Sequence, residues 1–306
     1  PIQYEGIVKE HLATRTRAAV FDTCHMGEFT VSGPQAPSDL DRLFTCSVAS
    51  LSIGKCRNGF LCNEQGGVID DLIVYRMAQD RFMVVVNAST QEGDYEWIRS
   101  HLSPGTAIVD ESDRTAKLDL QGPAAPAILR RLIAEDIADM RYYDHRTLTW
   151  QGTPVFVSRT GYTGEIGFEL YCAPGIAGDL WDLLIASGAS SAGLGARDTL
   201  RLEMGFPLYG HELDSGRNAA ETNYSRIIAQ DKTFIGSEVI LDPSRVRQLL
   251  VAITIEGRRS ARSHDSIVDA SGRTVGVVTS GSFSPSLEQA IALGYGMALY
   301  IECGLR

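Results

Sequence analysis

The 306-residue chain reads as an α+β protein whose C-terminal part is all β. Three observations carry that reading. Helical and strand-like patterns follow one another in mixed order, without the strand–helix–strand alternation of a parallel α/β sheet. Beyond Asp214 the apolar runs are short and strand-like, as at 249–255 and 275–278. The length fits two or three domains, each with its own core.

The elements follow in order. An apolar patch at Ala19-Val20-Phe21 precedes Asp22-Thr23-Cys24-His25-Met26-Gly27, and Ser38 is placed to cap a short helix carrying Leu40, Leu43 and Phe44. Residues 66–75 open on a Gly pair suited to a turn and continue as a buried strand. A second buried strand, 82–86, ends at Asn87-Ala88, and Ser89 or Thr90 starts a helix with Tyr95, Ile98 and Leu102 on its apolar face. Lys117-Leu118-Asp119-Leu120 alternates as a half-exposed strand does. Pro126 suits the first turn of a helix that continues through Ile128, Leu129, Leu132 and Ile133. From Arg146 the pattern is β, with a turn at Gln151-Gly152 and a further strand at 168–171. Helices follow at 180–188, stopping near Gly188, and from Ala196 to about Gly205.

Composition excludes several classes of function. With 28 basic and 38 acidic residues the net charge is -10, which disfavours bulk nucleic-acid binding and leaves any anionic ligand dependent on a local basic pocket. No apolar run approaches the ~20 residues needed to cross a bilayer. The six cysteines are scattered without zinc-ligand spacing, so no metal is expected and reduced thiols in the cytoplasm are the default.

Two adjacent carboxylates in Gly66-Gly67-Val68-Ile69-Asp70-Asp71-Leu72-Ile73-Val74-Tyr75 are the most informative feature. An Asp inside such a run must be solvated, capped or used, because burying it unpaired costs several kcal/mol or raises its pKa. Alternation puts Asp70 with Leu72 and Val74, and Asp71 with Ile73 and Tyr75, so at most one of the two faces a given cavity. Two solvated Asp residues at a strand start are the plain alternative.

Glu169, between Phe168 and Leu170, can pair with two adjacent N–H donors of a flat heterocycle, or face solvent. The glycines of 161–167 suit a tight hairpin better than a phosphate loop, since no Lys-Ser/Thr follows. Gly193-Leu194-Gly195 partly imitates a dinucleotide fingerprint, but the preceding segment reads as helix, which argues against it. Arg197 and Arg201 share one helix face, as an ion-pair ladder or as guanidinium groups aimed at an anion or carbonyl. His25 reads as a structural histidine.

Taken together, these segments resemble the glycine cleavage system T-protein family. The matching stretches are Glu10-His11, Phe21-Asp22 with His25-Met26-Gly27, 66–75, Val86-Asn87-Ala88, Gln121-Gly122-Pro123, 159–165 and 193–203. They continue through Leu208-Tyr209-Gly210, Phe234-Ile235-Gly236, Thr279-Ser280-Gly281 and Ser284-Pro285, in the family's order over nearly the whole chain.

The resemblance implies a three-domain cloverleaf around a central folate channel: a split first domain of 1–25 plus 112–210, a ferredoxin-like domain of 26–111, and a C-terminal β-barrel of 211–306, expected to be incomplete. It implies a cytoplasmic enzyme (mitochondrial matrix if eukaryotic) that moves the methylene carbon of an aminomethyl-lipoyl carrier protein to tetrahydrofolate, a co-substrate, with release of ammonia. By position, Asp70 matches the catalytic aspartate, Glu169 the pterin-binding glutamate, and Tyr162, Asn87 and Arg201 other pocket residues.

Arg57 is taken to stand where the family has a folate-contacting Tyr, Cys24 replaces a Ser, and 218–226 fits poorly. Both ends look truncated. Arg57 keeps open a sibling folate enzyme acting on another small methyl or methylene donor. A non-catalytic folate-binding factor of iron–sulfur assembly is a second alternative. Its members carry a Lys-Gly-Cys-Tyr-x-Gly-like loop, where this chain has Lys232-Thr233-Phe234-Ile235-Gly236.

Overall fold

The computed structural model describes residues 1–133, 137–257 and 259–297, whose strands form three sheets. Cys303 lies outside the described residues. The α+β class and the β-rich C-terminal part are both present.

The first sheet has six strands in the order Ser190–Ala192, Ala19–Asp22, Ala116–Gln121, Gly167–Cys172, Thr153–Ser158, His145–Trp150. Its pairings are antiparallel except that of Ala19–Asp22 with Ser190–Ala192. One face carries Val20, Leu118, Leu120, Val157, Phe168 and Leu170 against the helices Ala125–Leu132 and Pro174–Ala186. The other face was expected to be half exposed along Lys117-Leu118-Asp119-Leu120, yet every residue of that strand is buried. The second sheet lies over its polar side, where Tyr171 and Phe156 meet Tyr75, Cys56 and Val85.

That second sheet is antiparallel, in the order Cys56–Cys62, Val68–Ala78, Arg81–Val86, Gly27–Ser32, Ala107–Asp110. Its far face holds Phe29, Val31, Leu72, Val74, Phe82 and Val84 under the helices Ala36–Leu43 and Gln91–Ser100. The first of these starts two residues before the expected cap: Pro37 occupies the first turn, and Ser38 donates back to Gln35 O. The turn before the central strand needs its glycines. Gly66 has φ 80°, and a Cβ on Gly67 would lie 1.8 Å from Ser215 O.

The third sheet runs Gln248–Ile255, Gln289–Met297, Thr274–Ser284, Ser266–Val268, all antiparallel. Residues 213–240, expected with this C-terminal domain, pack instead on the second sheet, where Leu213, Ala219, Ile228, Phe234 and Ile240 cover Phe60, Cys62 and Val68.

The helix Leu194–Glu203 joins the parts. Ala196 and Leu200 pack on Ala19 and Phe21 of the first sheet, and Leu202 on Leu250, Leu293 and Tyr295 of the third. A strand, Ser190–Ala192, and not a helix, precedes it. The helix N-terminus is nevertheless filled by the chain itself: Gly193 N–H donates to Glu10 at 2.9 Å, and Leu194 and Gly195 donate to the carbonyls of Pro1 and Ile2. A dinucleotide phosphate has no place there.

Candidate active site

Where the first two sheets and the Leu194–Glu203 helix meet, a cavity of about 1030 Å³ opens, large enough for a drug-sized ligand. The strand alternation decides which side chains enter it. In Val68–Ala78 the residues Val68, Asp70, Leu72 and Val74 are buried while Ile69, Asp71 and Ile73 are less so. Asp71 lines the cavity; Asp70 does not, and is sealed inside with 0% exposure. The assignment of the catalytic carboxylate to Asp70 is therefore corrected on geometry: the alternation was read rightly, but the cavity lies on the side of its neighbour.

Asp71 is held by Asn87, whose Nδ2 lies 2.8 Å from Asp71 Oδ1 and 2.8 Å from Asp70 Oδ1, while the Asn87 backbone N–H donates to Asp70 Oδ2 at 2.9 Å. Burial, then repulsion from Asp70, push the Asp71 carboxyl up to about 7, against the pull of Asn87. Asn87 lines the cavity, as expected, but its amide hydrogens serve the two carboxylates.

The same one-residue slip applies to Arg57. The Cys56–Cys62 strand pairs Asn58 with Ile73 and Arg57 with Val74, so Asn58 lines the cavity and Arg57 does not. Arg57 donates to Ser47 O and Ser50 Oγ and lines a smaller adjoining pocket of about 380 Å³ with Lys55 and Arg226. Arg57, expected among the folate-binding residues, thus stands on the rim of a neighbouring basic pocket. Asn58 Oδ1 is buried without a hydrogen-bond donor among the described residues, an acceptor left for a ligand.

Glu169 lines the cavity from the first sheet. It faces Asp119 directly across the antiparallel pair, an arrangement of like charges that needs a cation. Lys117 supplies it, with Nζ 2.6 Å from Glu169 Oε1 and 3.3 Å from Asp119 Oδ1, and Arg197 closes on Asp119 at 2.9 Å. Thr160 and the Tyr75 hydroxyl donate to Glu169 Oε2. Burial opposes the Glu169 charge, but Lys117 outweighs it and holds the carboxyl below its ordinary range. Lys117 and Asp119 were missed as site residues. Their signal was two opposite charges on one face of a strand expected to be half exposed.

Tyr162 stacks on Phe206 with ring centroids 5.6 Å apart, donates to Pro207 O, and lies 4.9 Å under the Arg197 guanidinium. Arg201 lines the cavity but is spent on Asp198, Glu212, Phe206 O and Ser280 Oγ, which ties the helix to the third sheet. His25 also lines the cavity.

Residues 1–232 match the family model "GCVT N-terminal domain" and residues 247–304 match "Glycine cleavage T-protein C-terminal barrel domain". The chain is 41% identical over 302 residues to an aminomethyltransferase of Halothermothrix orenii, covering 96% of this chain and 84% of that one. A Thermus thermophilus aminomethyltransferase is 42% identical over 297 residues, with the same coverage. The solved glycine cleavage system aminomethyltransferase T of Bartonella henselae superposes with a TM-score of 0.92 at 31% identity, covering 98% of this chain and 84% of that one.

Proposed function

The chain belongs to the glycine cleavage T-protein family, and from that premise we propose that it is a tetrahydrofolate-dependent aminomethyltransferase of the glycine cleavage system. The donor is an aminomethyl group carried as a thioether-like adduct on the lipoyl arm of a carrier protein. Folate N5 bonds to the carbon, ammonia leaves, N10 closes the ring as the lipoyl thiol is released, and 5,10-methylenetetrahydrofolate forms.

The observation that carries this reading is a single carboxylate, Asp71, fixed at the wall of a folate-sized cavity by Asn87. The chemistry demands a neutral amine held against a cationic, iminium-like carbon. A fixed carboxylate meets that demand by positioning and by stabilising the developing charge. Asp71 takes the catalytic role that was expected of Asp70.

Glu169, Tyr162, Asn58 and Asn87 form the folate-binding wall in this proposal. Glu169 Oε1 keeps a lone pair beside its bond to Lys117 and can accept from a pterin N–H. Arg201 supports that wall by fixing Phe206 and so the stack on Tyr162. In this reading the p-aminobenzoyl-glutamate tail would reach the adjoining pocket, which shares Asn58, Tyr143, Arg226 and Ile227 with the cavity and offers Arg57 and Arg226 to its carboxylates, while Lys55 is paired with Asp144.

The sibling-enzyme alternative rests on Arg57, which lines the adjoining pocket and not the main cavity. We place the reaction in the cytoplasm, in keeping with five free cysteines among the described residues. The test is ammonia release from an aminomethyl-lipoyl carrier protein on addition of tetrahydrofolate.

A further inference from the structure

Tyr75 does not line the cavity, yet it is fully buried and its hydroxyl ends on Glu169. It shares a strand face with Asp71, four residues further along Val68–Ala78, whereas Glu169 belongs to the first sheet. The Tyr75 hydroxyl therefore crosses from the strand of the cavity carboxylate to the carboxylate on the opposite wall. Its oxygen lies 3.2 Å from Glu169 Oε2 and 3.1 Å from the Tyr171 hydroxyl. A hydroxyl has a single hydrogen, and an ionised carboxylate can only accept. Tyr75 accordingly donates to Glu169, the stronger charge-assisted bond, and accepts from Tyr171. Its ring is held in place by His145, Phe156 and Tyr171, which stand edge-on with centroids 5.5, 5.4 and 6.0 Å away.

Glu169 is thereby fixed through both oxygens. Thr160 and Tyr75 donate to Oε2, and Lys117 takes one lone pair of Oε1 at 2.6 Å. Lys117 lies in the first sheet and Thr160 just after one of its strands, so of these three donors only Tyr75 comes from the second sheet. We propose that Tyr75 is a positioning residue: its hydroxyl ties Glu169 to the strand of Asp71 and so sets where a folate held by Glu169 stands relative to that carboxylate. Without the tether Glu169 is free to turn, which loosens the folate and misplaces its N5. This rests on the reading of Glu169 as folate-binding and of Asp71 as catalytic.

The experiment measures tetrahydrofolate affinity by calorimetry, and single-turnover ammonia release from an aminomethyl-lipoyl carrier protein at saturating tetrahydrofolate. Tyr75→Phe keeps the ring packing and removes the hydroxyl. Affinity is expected to fall about fivefold and the single-turnover rate about tenfold. Tyr171→Phe removes an equally buried hydroxyl from the strand of Glu169 itself, and is expected to cost about twofold in each. In a Glu169→Gln background, Tyr75→Phe adds less than about twofold to either loss, because the group it acts through has already changed. Parental affinity and rate in Tyr75→Phe would overturn the tether. Equal losses in Tyr171→Phe and Tyr75→Phe would also overturn it, since they mark the general cost of a missing buried hydroxyl. So would losses that multiply in full when Tyr75→Phe is combined with Glu169→Gln. The underlying reading fails by a separate sign: parental folate affinity in Glu169→Gln, or parental turnover in Asp71→Asn, removes it and the role of the tether with it, whatever Tyr75→Phe shows.

Discussion

Asp70 and Asp71 are neighbours in sequence and lie on opposite faces of one strand, the first sealed in the interior and the second on the wall of a 1030 Å³ cavity. Their substitutions must therefore differ in kind. Asp71→Asn keeps shape and removes charge, so turnover falls by about 10²-fold or more while folate affinity changes much less. Turnover within a few fold of the parent contradicts the assignment. Asp70→Asn instead turns an amide donor toward a donor of Asn87, which costs about 1–3 kcal/mol of stability, read as a lower urea midpoint.

The pH profile of kcat/KM should carry an acid limb near 7, the value to which burial and Asp70 push the Asp71 carboxyl. Activity rises with pH through that limb, because the ionised form does the work. A profile flat from about pH 5.5 to 8 speaks against Asp71.

Stability should run the other way. The carboxyls of Asp94, Asp71 and Glu28 are raised, mainly by burial, to about 6, about 7 and about 8. Each binds its proton more tightly folded than unfolded, so its contribution is full below the unfolded pKa of roughly 4 and is lost as pH rises through the folded value. The urea midpoint should fall between about pH 5 and 8, by up to ~1.4 kcal/mol per unit for each group in transition. Glu28 has both oxygens buried without a donor among the described residues, so Glu28→Met should flatten the slope above about pH 6. An unchanged slope in that variant means Glu28 is not the group titrating.

Lys117 and Glu169 form a fully buried pair, and breaking it from either side has distinct effects. Lys117→Met leaves two buried carboxylates facing each other across the strands and should cost about 3–5 kcal/mol of stability, partly restored by adding Glu169→Gln. Glu169→Gln alone replaces an acceptor by a donor and should weaken folate binding by about 2–4 kcal/mol in calorimetry. Unchanged affinity removes Glu169 from the site.

Much of this fold was legible because local chemistry and tertiary environment agree. Gly66-Gly67 before an apolar run, Pro126 in a first turn, and Gln151-Gly152 between two strands each fold as their residues dictate. The site was legible by segment but not by face. A period of two makes a one-residue slip an inversion, and Asp70 for Asp71 and Arg57 for Asn58 are the same slip on paired strands. Lys117 and Asp119 were hidden for another reason: their strand alternates as an edge does, and only the packing of a second sheet makes its polar face an interior.

The central claim is tested most directly by mixing the protein with an aminomethyl-lipoyl carrier protein and tetrahydrofolate and measuring ammonia. The account predicts release that requires both partners, is matched by 5,10-methylenetetrahydrofolate, and falls about 10²-fold in Asp71→Asn. Tight folate binding with no carrier-dependent ammonia would contradict it.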